Sequence, residues 1–422
     1  MCTSPSKRLP PNMESFPKIA IIGGGPAGLT LANILQKNSI PFSLFEHDTS
    51  PNERNQGGTL DLHPKAGQAA LREAGLWDEF IQHARPEGDV LKVVKQDGTV
   101  LRDGNTSQPP VQNDKSMSNR PEIDRAKLKD ILLQHLDGKN VHYDKTLASA
   151  VPGGRTDTWN LHFRDGSVEK DFDLIVGAEG AWSHTRKLLT DVEPFYSGIT
   201  AIELWALDVN QHHPWMVNYV GRGSLFSFDA DRAILIQRIG DGSIRTYACL
   251  RVPEGFIKDC GIDWTQPDIA RKELVERYYN DSGMELKRMI LESTDELIPR
   301  PLYMLPVGIK WDPRPGVTLL GDAAHLMTPF AGVGVNAAML DALELGNTLV
   351  SLKMGKFPSL NKAIEKYERE LFPRGQKFAQ KTVNNMETHF SADGCNQLVW
   401  RLRIGYGFLA IASAVSRWIP GF

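Results

Sequence analysis

Residues 18–38 read KIAIIGGGPAGLTLANILQKN, an apolar run followed by a glycine-rich turn and a helical pattern. Gly23, Gly25 and Gly28 have the G-x-G-x-x-G spacing, and a second strand-like run, PFSLFEHD, follows at residues 41–48. This order predicts a β-α-β unit. In such a unit the glycines permit a tight turn, close approach of the backbone to a pyrophosphate, and packing of the helix on the strand. The stretch therefore predicts an α/β dinucleotide-binding fold.

An acid follows the glycine turn at the distance that this fold requires. Glu46 lies 18 residues after Gly28, where a carboxylate accepts hydrogen bonds from a ribose hydroxyl. A glycine turn that served packing alone does not account for this acid. A glutamate, rather than a basic residue, favours an unphosphorylated ribose, as in FAD or NAD. The helix N-terminus after the turn supplies positive charge to the phosphates.

Two later segments also read as buried strands that end in glycine and an acid. They are DLIVGAEGAWSHTR at residues 173–186 and VTLLGDAAHLMTPFAGVGVNAAMLDA at residues 317–342. Ligands bind at the carboxyl ends of strands in open α/β sheets, so Asp322 is a candidate for binding ligand hydroxyls. The GVGVNA stretch is compatible with a second nucleotide site, but no strand with an acid follows it. We therefore interpret it as the far half of the first site.

The composition indicates a globular protein without a nucleic-acid surface. The chain has 422 residues, 41% of them hydrophobic and 23% charged, with a formal net charge of −3. The apolar run at residues 404–415 is shorter than the roughly 20 residues that span a bilayer. We expect a cytoplasmic monomer without membrane contact. No metal site is predicted, because the four cysteines are widely spaced, at Cys2, Cys249, Cys260 and Cys395.

The rest of the chain predicts an interleaved second domain. Residues 195–255 are rich in strand-like runs and show no helical period, which is typical of an antiparallel sheet. Asp124 is a candidate N-cap for a helix within residues 120–136. We predict an α/β fold, with a Rossmann-like dinucleotide-binding domain, an antiparallel-sheet substrate domain and C-terminal helices. The predicted ranges are 17–80, 111–190 and 300–354 for the first domain, 81–110 and 191–299 for the second, and 355–422 for the helical segment.

The set GGGPAGL, GAEGAWSHTR and GDAAHLMTPFAGVGVNAAMLDA resembles the single-component FAD-dependent monooxygenases of the aromatic-hydroxylase type, in their glutathione-reductase-like (GR2-type) class. The closest likeness is to the tetracycline-inactivating monooxygenases, through IAIIGGGPAGLT, GGTLDLH, PEIDRAKLKDIL and GDAAHLMTPFAG, and it covers most of residues 18–350. The resemblance implies bound FAD, with NADPH visiting to reduce it. It also implies that O2 is used, through a flavin hydroperoxide, to hydroxylate an aromatic or polycyclic, tetracycline- or polyketide-like molecule. Antibiotic resistance and secondary metabolism are the settings that this likeness suggests.

The resemblance also implies roles for individual residues. Glu46 takes the adenosine ribose, Asp322 takes hydroxyls of the FAD chain, and Arg54 matches a position used for NADPH. The helix that starts near Gly334 directs its amides, with roughly half a positive charge, at the flavin anion. The full set of implied cofactor residues is Gly23, Gly25, Gly28, Glu46, His47, Arg54, Asp61, Arg125, Asp322, Pro329, Gly332, Gly334 and Asn336.

The chain departs from the tetracycline-type pattern at several positions. In the middle motif of the three, GAEGAWSHTR, Glu179 replaces the usual aspartate. His47, directly after Glu46, replaces an arginine. The residues expected to meet substrate are also changed, so the reaction type transfers better than the substrate. Strict alternation would place Trp205 and Tyr247 on the same faces as the predicted substrate residues of their strands. The predicted substrate-binding set is Glu203, Ser224 and Arg245, which are changed, with Phe330 and Asn385, which are retained.

Other functions remain as alternatives to hydroxylation. The first is a flavoprotein reductase or dehydrogenase that inserts no oxygen. A flavin halogenase is disfavoured because the W-x-W-x-I-P signature is absent, and the retained GDAAH segment argues against a non-enzymatic prenyl-chain escort. Oxygen insertion needs no protein nucleophile, so no catalytic residue is nominated. For His63 and His325 a structural role is at least as well supported as proton handling.

Overall fold

The computed structural model describes residues 16–51, 53, 58–106 and 120–403. Its strands are β1 Ile19–Ile22, β2 Phe42–Phe45, β3 Thr59–Asp61, β4 Leu91–Val94, β5 Val100–Asp103, β6 Glu122–Asp124, β7 Val141–His142, β8 Leu147–Pro152, β9 Trp159–Phe163, β10 Val168–Phe172, β11 Leu174–Gly177, β12 Phe195–Ala206, β13 Ser224–Asp229, β14 Arg232–Arg238, β15 Ile244–Arg251, β16 Glu296–Met304 and β17 Val317–Leu319. Its α-helices are α1 Pro26–Lys37, α2 Gly67–Ala74, α3 Trp77–His83, α4 Arg125–Gln134, α5 Val209–His212, α6 Pro214–Val220, α7 Phe256–Asp259, α8 Pro267–Tyr278, α9 Met284–Leu291, α10 Asp322–His325, α11 Gly334–Lys353 and α12 Leu360–His389.

The chain divides into two compact units, each built from separate stretches of sequence. Of the described residues, the first unit holds those within 1–86, 112–197 and 303–383, and the second holds those within 87–111, 198–302 and 384–422. We predicted a separate helical segment from residue 355 onward. In the structure this part of the chain is shared between the two units, with the division inside α12.

The first unit is built on a parallel sheet with the strand order β17-β11-β1-β2-β7. Ile19 and Ile21 of β1 pack into a core with α1 and α11, whereas Ala20 and Ile22 pack into a second core with strands β8–β10. Both faces of β1 are therefore buried, which is why its sequence is continuously apolar. Burying one such isoleucine side chain contributes about 1.5–3 kcal/mol.

Helix α1 begins directly after the glycine turn. Pro26 stands at its start, where the fixed backbone angle suits a helix and the missing amide is not needed. The helix packs closely on α11. At Gly346 of α11, an added Cβ would lie only 2.7 Å from the Cγ2 atom of Ile34 in α1. The predicted β-α-β unit is present, with β1 and β2 paired in parallel.

The second unit contains a seven-stranded sheet with the order β16-β12-β15-β14-β13-β4-β5. The sheet is mixed, since β13 pairs with β4 in parallel while β12, β15, β14 and β13 are antiparallel neighbours. One face carries the apolar core of this unit, formed by alternate residues such as Ile202, Leu204 and Ile244 against α8 and α9. The short helices α5 and α6 interrupt the region that we expected to be strands alone.

Two further expectations can be compared with the described residues. Asp124 directly precedes α4, as predicted, but its carboxylate accepts a hydrogen bond of 2.6 Å from Arg85 and does not cap the helix amides. Among the described helices, none has the length and apolar character that crossing a bilayer requires. The apolar run at residues 404–415 lies outside the described residues.

Candidate active site

The parallel sheet brings the three glycine-and-acid segments of the first unit together. Strands β1, β11 and β17 are neighbours and run in the same direction, so all three end at one edge of the sheet. The glycine turn follows β1, Glu179 and Gly180 follow β11, and Asp322 follows β17. This is the edge where ligands bind in open α/β sheets.

The three fingerprint glycines have different surroundings. Gly23 has φ of +109°, and an added Cβ would lie 2.4 Å from the carbonyl oxygen of Ala178. An added Cβ at Gly28 would lie 2.0 Å from the carbonyl oxygen of Gly23. By contrast, apart from Gly25 and its neighbours in the chain, no heavy atom of the described residues lies within 4 Å of the position that a Cβ would take at Gly25. Gly23 and Gly28 are therefore required by packing, whereas Gly25 opens toward free space.

Glu46 lies against the glycine turn, although it is separated from it in sequence. The side chain is 5% exposed, and it accepts hydrogen bonds from the Gly24 amide and, at 2.9 Å, from the Asp48 amide. The half-exposed His47 places its Nδ1 atom 2.8 Å from the Glu46 carboxylate. The predicted ribose acid is thus held at the turn by backbone donors, and His47 lies beside it.

Asp322 occupies the first turn of α10 at the end of β17. Its side chain is exposed, yet the surrounding protein desolvates it enough to raise the pKa of its carboxyl, against the opposing charges of His325 and Arg125. Because the Asp322 carboxylate is accessible to solvent and yet surrounded by protein, it lies in a cleft of the first unit. At Gly180 and Gly334 too, an added Cβ would meet no heavy atom within 4 Å in the part of the chain that the structure describes, apart from neighbours along the chain. The residues of this edge therefore leave room for an extended ligand with hydroxyl groups.

Asp61, His63 and Asn336 are joined at the start of α11. The side-chain oxygen of Asn336 accepts hydrogen bonds from the His63 amide at 2.7 Å and the Gly67 amide at 3.3 Å, and its amide donates to the Asp61 carbonyl at 2.7 Å. This side chain is fully engaged in holding the loop after β3 to the start of α11. The Asp61 carboxylate lies 3.1 Å from His63 Nε2 and 3.9 Å from the position of an added Cβ at Gly332.

The sequence interpretation missed Asp341, which holds the turn that carries Asp322. This fully buried carboxylate accepts hydrogen bonds from the Gly321 amide at 3.0 Å and from Arg374 at 2.9 Å. Burial opposes a charge on His325, but the adjacent Asp341 outweighs it and raises the pKa of that imidazole. In the same way, His325 and Arg374 hold the pKa of Asp341 below its usual value against the effect of burial. An acid in the middle of the apolar helix sequence was the signal for this network.

Glu179, which is one methylene longer than the aspartate usual at this position, holds the segment that follows β11. The Glu179 carboxylate accepts hydrogen bonds from the Ser183 hydroxyl at 2.8 Å and from the Thr185 amide and hydroxyl at 2.8 and 2.7 Å. The buried Arg186 donates to the carbonyls of Ala181 and Ala323, at 2.7 and 3.1 Å. The Arg186 bond to Ala323 joins the segment after β11 to α10, which follows β17.

Three of the predicted substrate residues lie on one face of the sheet in the second unit. Directly paired residues of antiparallel strands share a face, as do residues two apart on one strand. The face lies opposite the apolar core of this unit. Two adjacent rows of paired residues cross it, one formed by Trp205, Arg245, Gln237 and Ser224, and the other by Glu203 and Tyr247.

Arg245 is enclosed by two aromatic rings and one acid. Its guanidinium carbon lies 5.0 Å from the ring centre of Trp205 and 4.6 Å from that of Tyr247, and an amino group lies 2.6 Å from the Glu203 carboxylate. Glu203 also accepts hydrogen bonds from Arg300 and, at 2.8 Å, from the Trp205 indole. Burial opposes its ionisation, but these donors and the charge of Arg245 hold the pKa of Glu203 below its usual value.

The remaining predicted residues are placed as follows. Phe330 is buried in the first unit, directly after the exposed Pro329. Asn385 is half-buried in the second unit and accepts a hydrogen bond of 3.2 Å from Arg401. Arg125 follows β6, and its amide donates to the Gly58 carbonyl at 2.9 Å. Arg54 lies outside the described residues.

Comparison with known proteins agrees with this geometry. Residues 17–232 and 313–382 match the family described as FAD binding domain. Over 90% of its length the chain is 30% identical to the monooxygenase penA of Penicillium thymicola, of which the match covers 97%. The chain belongs to the FAD-dependent monooxygenases.

Further similarities concern other members and the fold. This monooxygenase is 31% identical to the aurachin C monooxygenase/isomerase of Stigmatella aurantiaca, over 80% of the chain and 82% of the relative. It has the fold of the tetracycline destructase Tet(55), with a TM-score of 0.69, 18% identity, and coverage of 94% of this chain and 96% of the other. The predicted fold class and FAD cofactor are confirmed, and the family membership disfavours the reductase alternative.

Proposed function

We propose that this monooxygenase uses NADPH and O2 to hydroxylate an aromatic or polycyclic small molecule. The observation that carries the proposal is the sheet face of the second unit, where Trp205 and Tyr247 flank Arg245. Aromatic rings and a guanidinium plane both stack on flat ring systems.

In this proposal the carboxyl edge of the parallel sheet holds FAD. The pyrophosphate lies at the N-terminus of α1, where Gly25 leaves space, and Glu46 binds the adenosine ribose with His47 beside it. Asp322 and Arg125 contact the chain that leads to the flavin. Bound FAD supplies the redox chemistry that activates oxygen.

The start of α11 is the proposed neighbour of the flavin ring. Gly332 and Gly334 carry no side chain, and the side chain of Asn336 is turned to Asp61 and His63, so backbone amides are left to face a ligand. A helix N-terminus carries roughly half a positive charge, which stabilises an anionic ring. Pro329 and Phe330 are proposed to limit the access of water there.

The changed residues of the second unit are the proposed specificity determinants. Glu203 is already bound by Arg245 and Arg300, so its charge is balanced and it fixes the guanidinium of Arg245 in place. Stacking on such a guanidinium contributes about 0.5–2 kcal/mol, depending on how far it is desolvated. We propose that Ser224 and Asn385 add polar contacts to the same substrate.

The test is a coupled assay on the purified, FAD-loaded enzyme. Simple phenols, aurachin C and tetracycline are supplied with NADPH, and NADPH consumption, O2 uptake and product mass are measured, with 18O2 as the labelled gas. The expected result is one oxygen atom from 18O2 in a product of at least one aromatic compound. Stoichiometric NADPH oxidation with a reduced product and no label would instead support the reductase alternative.

Two variants link the activity to the proposed sheet face. Tyr247→Leu removes one ring beside Arg245 and leaves the ion pair with Glu203 intact, so we expect a KM for the aromatic substrate at least fivefold higher. Tyr278→Leu is the matched control, because this tyrosine packs against Phe256 on the opposite, core side of the sheet. An equal effect of the two substitutions would contradict the proposed role of this face.

A further inference from the structure

A group of basic residues lies beside Asp61 in the first unit. Lys377 and Lys381 are exposed and stand one helical turn apart on α12, so their side chains project from the same side of the helix. The exposed Arg120 places an amino group 3.4 Å from the Asp61 carboxylate. Lys381 interacts electrostatically with Arg120, Asp61 and Lys377. We call Arg120, Lys377 and Lys381 the basic cluster.

The basic cluster brings like charges together, and its two lysines have no ion-paired carboxylate of their own among the described residues. Asp61 lies 3.4 Å from Arg120, attracts Lys381 and already lies 3.1 Å from His63. The surrounding protein and then the charge of Arg120, with a further effect of Lys377, lower the pKa of Lys381 despite the attraction of Asp61. Like charges brought together at one place stabilise the binding of an anion.

Other lysines of the same helix show the contrast. Lys362 lies 2.7 Å from Glu365, and Lys366 lies 2.9 Å from Glu370. Within the described part of the chain, Lys377 and Lys381 have no carboxylate within ion-pair distance on α12. Lys362 and Lys366, near the start of α12, are therefore neutralised by acids of the same helix. Lys377 and Lys381 have no such acidic partner among the described residues of α12.

The position of the basic cluster relates it to the proposed flavin end of the cleft. The Asp61 carbonyl accepts a hydrogen bond of 2.7 Å from Asn336, in the first turn of α11. The carboxylate of Asp61 lies 3.9 Å from the position of an added Cβ at Gly332. Glu46 and the glycine turn, the proposed adenosine and pyrophosphate contacts for FAD, belong to other loops.

We propose that the basic cluster binds the phosphate groups of the nicotinamide nucleotide that reduces the flavin. This inference rests on the proposed use of NADPH and assigns its binding site to Arg120, Lys377 and Lys381. The pyrophosphate and 2′-phosphate carry several negative charges, and lysine ammonium groups bind phosphates as point charges. Because the cluster is exposed, salt screens the attraction, and binding weakens as ionic strength rises.

The test measures binding of NADP+ and NAD+ to the FAD-loaded enzyme by calorimetry. The double variant Lys377→Ala/Lys381→Ala is expected to raise the Kd for NADP+ at least tenfold, with an unchanged FAD content. In steady state it raises the KM for NADPH, while kcat at saturating NADPH stays within about twofold. The control, Lys362→Ala/Lys366→Ala on the same helix, is expected to leave both constants unchanged.

The outcomes separate this inference from the proposed function. If the wild-type enzyme binds neither NADP+ nor NAD+ and oxidises neither NADPH nor NADH, both are overturned. If it binds NADP+ and the double variant binds equally well, only the basic cluster is wrong. A rise in the KM for the aromatic substrate alone, with unchanged NADP+ affinity, also overturns the inference, because the cluster would then serve an anionic substrate. Weaker binding of NADP+ alone locates the 2′-phosphate at the cluster, and weaker binding of both nucleotides locates the pyrophosphate there.

Discussion

The Nε2 atom of His325 lies 2.6 Å from the carboxylate of Asp341, and both side chains are buried. The same carboxylate accepts a hydrogen bond from the Gly321 amide. The turn that presents Asp322 to the cleft is thus fixed by a charged group on α11. His325 acts in the structure as a partner of this group, in agreement with a structural role.

Removal of the Asp341 carboxylate is expected to destabilise the protein strongly. Asp341→Ala leaves the charges of the buried His325 and the partly buried Arg374 without their acid, which costs roughly 3–5 kcal/mol. Urea unfolding followed by circular dichroism measures the change. Glu370→Ala removes an exposed partner of Lys366 on α12 and is expected to cost about 0.5 kcal/mol. Similar losses for the two variants would contradict the account of this network.

The His325–Asp341 pair predicts a pH dependence of stability. The folded-state pKa of His325 is raised above its ordinary value of 6.5, so the folded protein binds this proton more tightly than the unfolded chain. Its contribution is fully present below pH 6.5 and is lost as pH rises through the folded-state pKa. We expect the free energy of unfolding, at saturating FAD, to decline over this range in the wild type. The decline should be smaller in His325→Gln, and parallel curves would show that His325 does not carry the effect.

Asp322→Ala is expected to lower FAD affinity at least tenfold without unfolding the protein. The side chain is exposed in the cleft, and its substitution removes a hydrogen-bond acceptor from the proposed cofactor contact. The ratio of bound flavin absorbance to protein, followed through dialysis, measures the loss. Asp312→Ala, at an exposed residue that precedes the same strand, is the control. A variant of Asp322 that retains full flavin would refute the assignment.

Alanine substitutions at two glycines of the fingerprint are expected to have different effects, one on FAD affinity and the other on stability. Gly25→Ala places a methyl group in open space, at a residue with φ of −76°, so the fold is kept while FAD affinity falls. Gly28→Ala forces a Cβ to within 2.0 Å of the Gly23 carbonyl oxygen, and overpacking of this kind costs about 1–3 kcal/mol or more. Urea unfolding of the FAD-free variants and flavin titration separate the two effects. A large stability loss in Gly25→Ala would mean that the turn does not face open space.

The local parts of the fold could be predicted because their causes are local. The spacing of Gly23, Gly25 and Gly28, with an apolar strand before and a helix after, determines the β-α-β unit through steric limits on a few adjacent residues. Glu46 could be assigned for the same reason, since the second strand of the unit has a fixed place beside the first. The alternation that predicted Trp205 on the face of Glu203, and Tyr247 on that of Arg245, also follows from strand geometry.

Relations between distant segments were decided by the tertiary structure. Glu203 and Arg245 were each selected from the sequence, but their mutual ion pair depends on the register of β12 against β15, which no single strand specifies. Asp341 lies within an apolar helix sequence, and only the packing of α11 beneath α10 and α12 identifies His325 and Arg374 as its partners. The approach of α12 to Asp61 likewise depends on the packing of segments that are distant in sequence. The sequence by itself determined the class of cofactor site through local sterics, whereas long-range packing decided which charges meet.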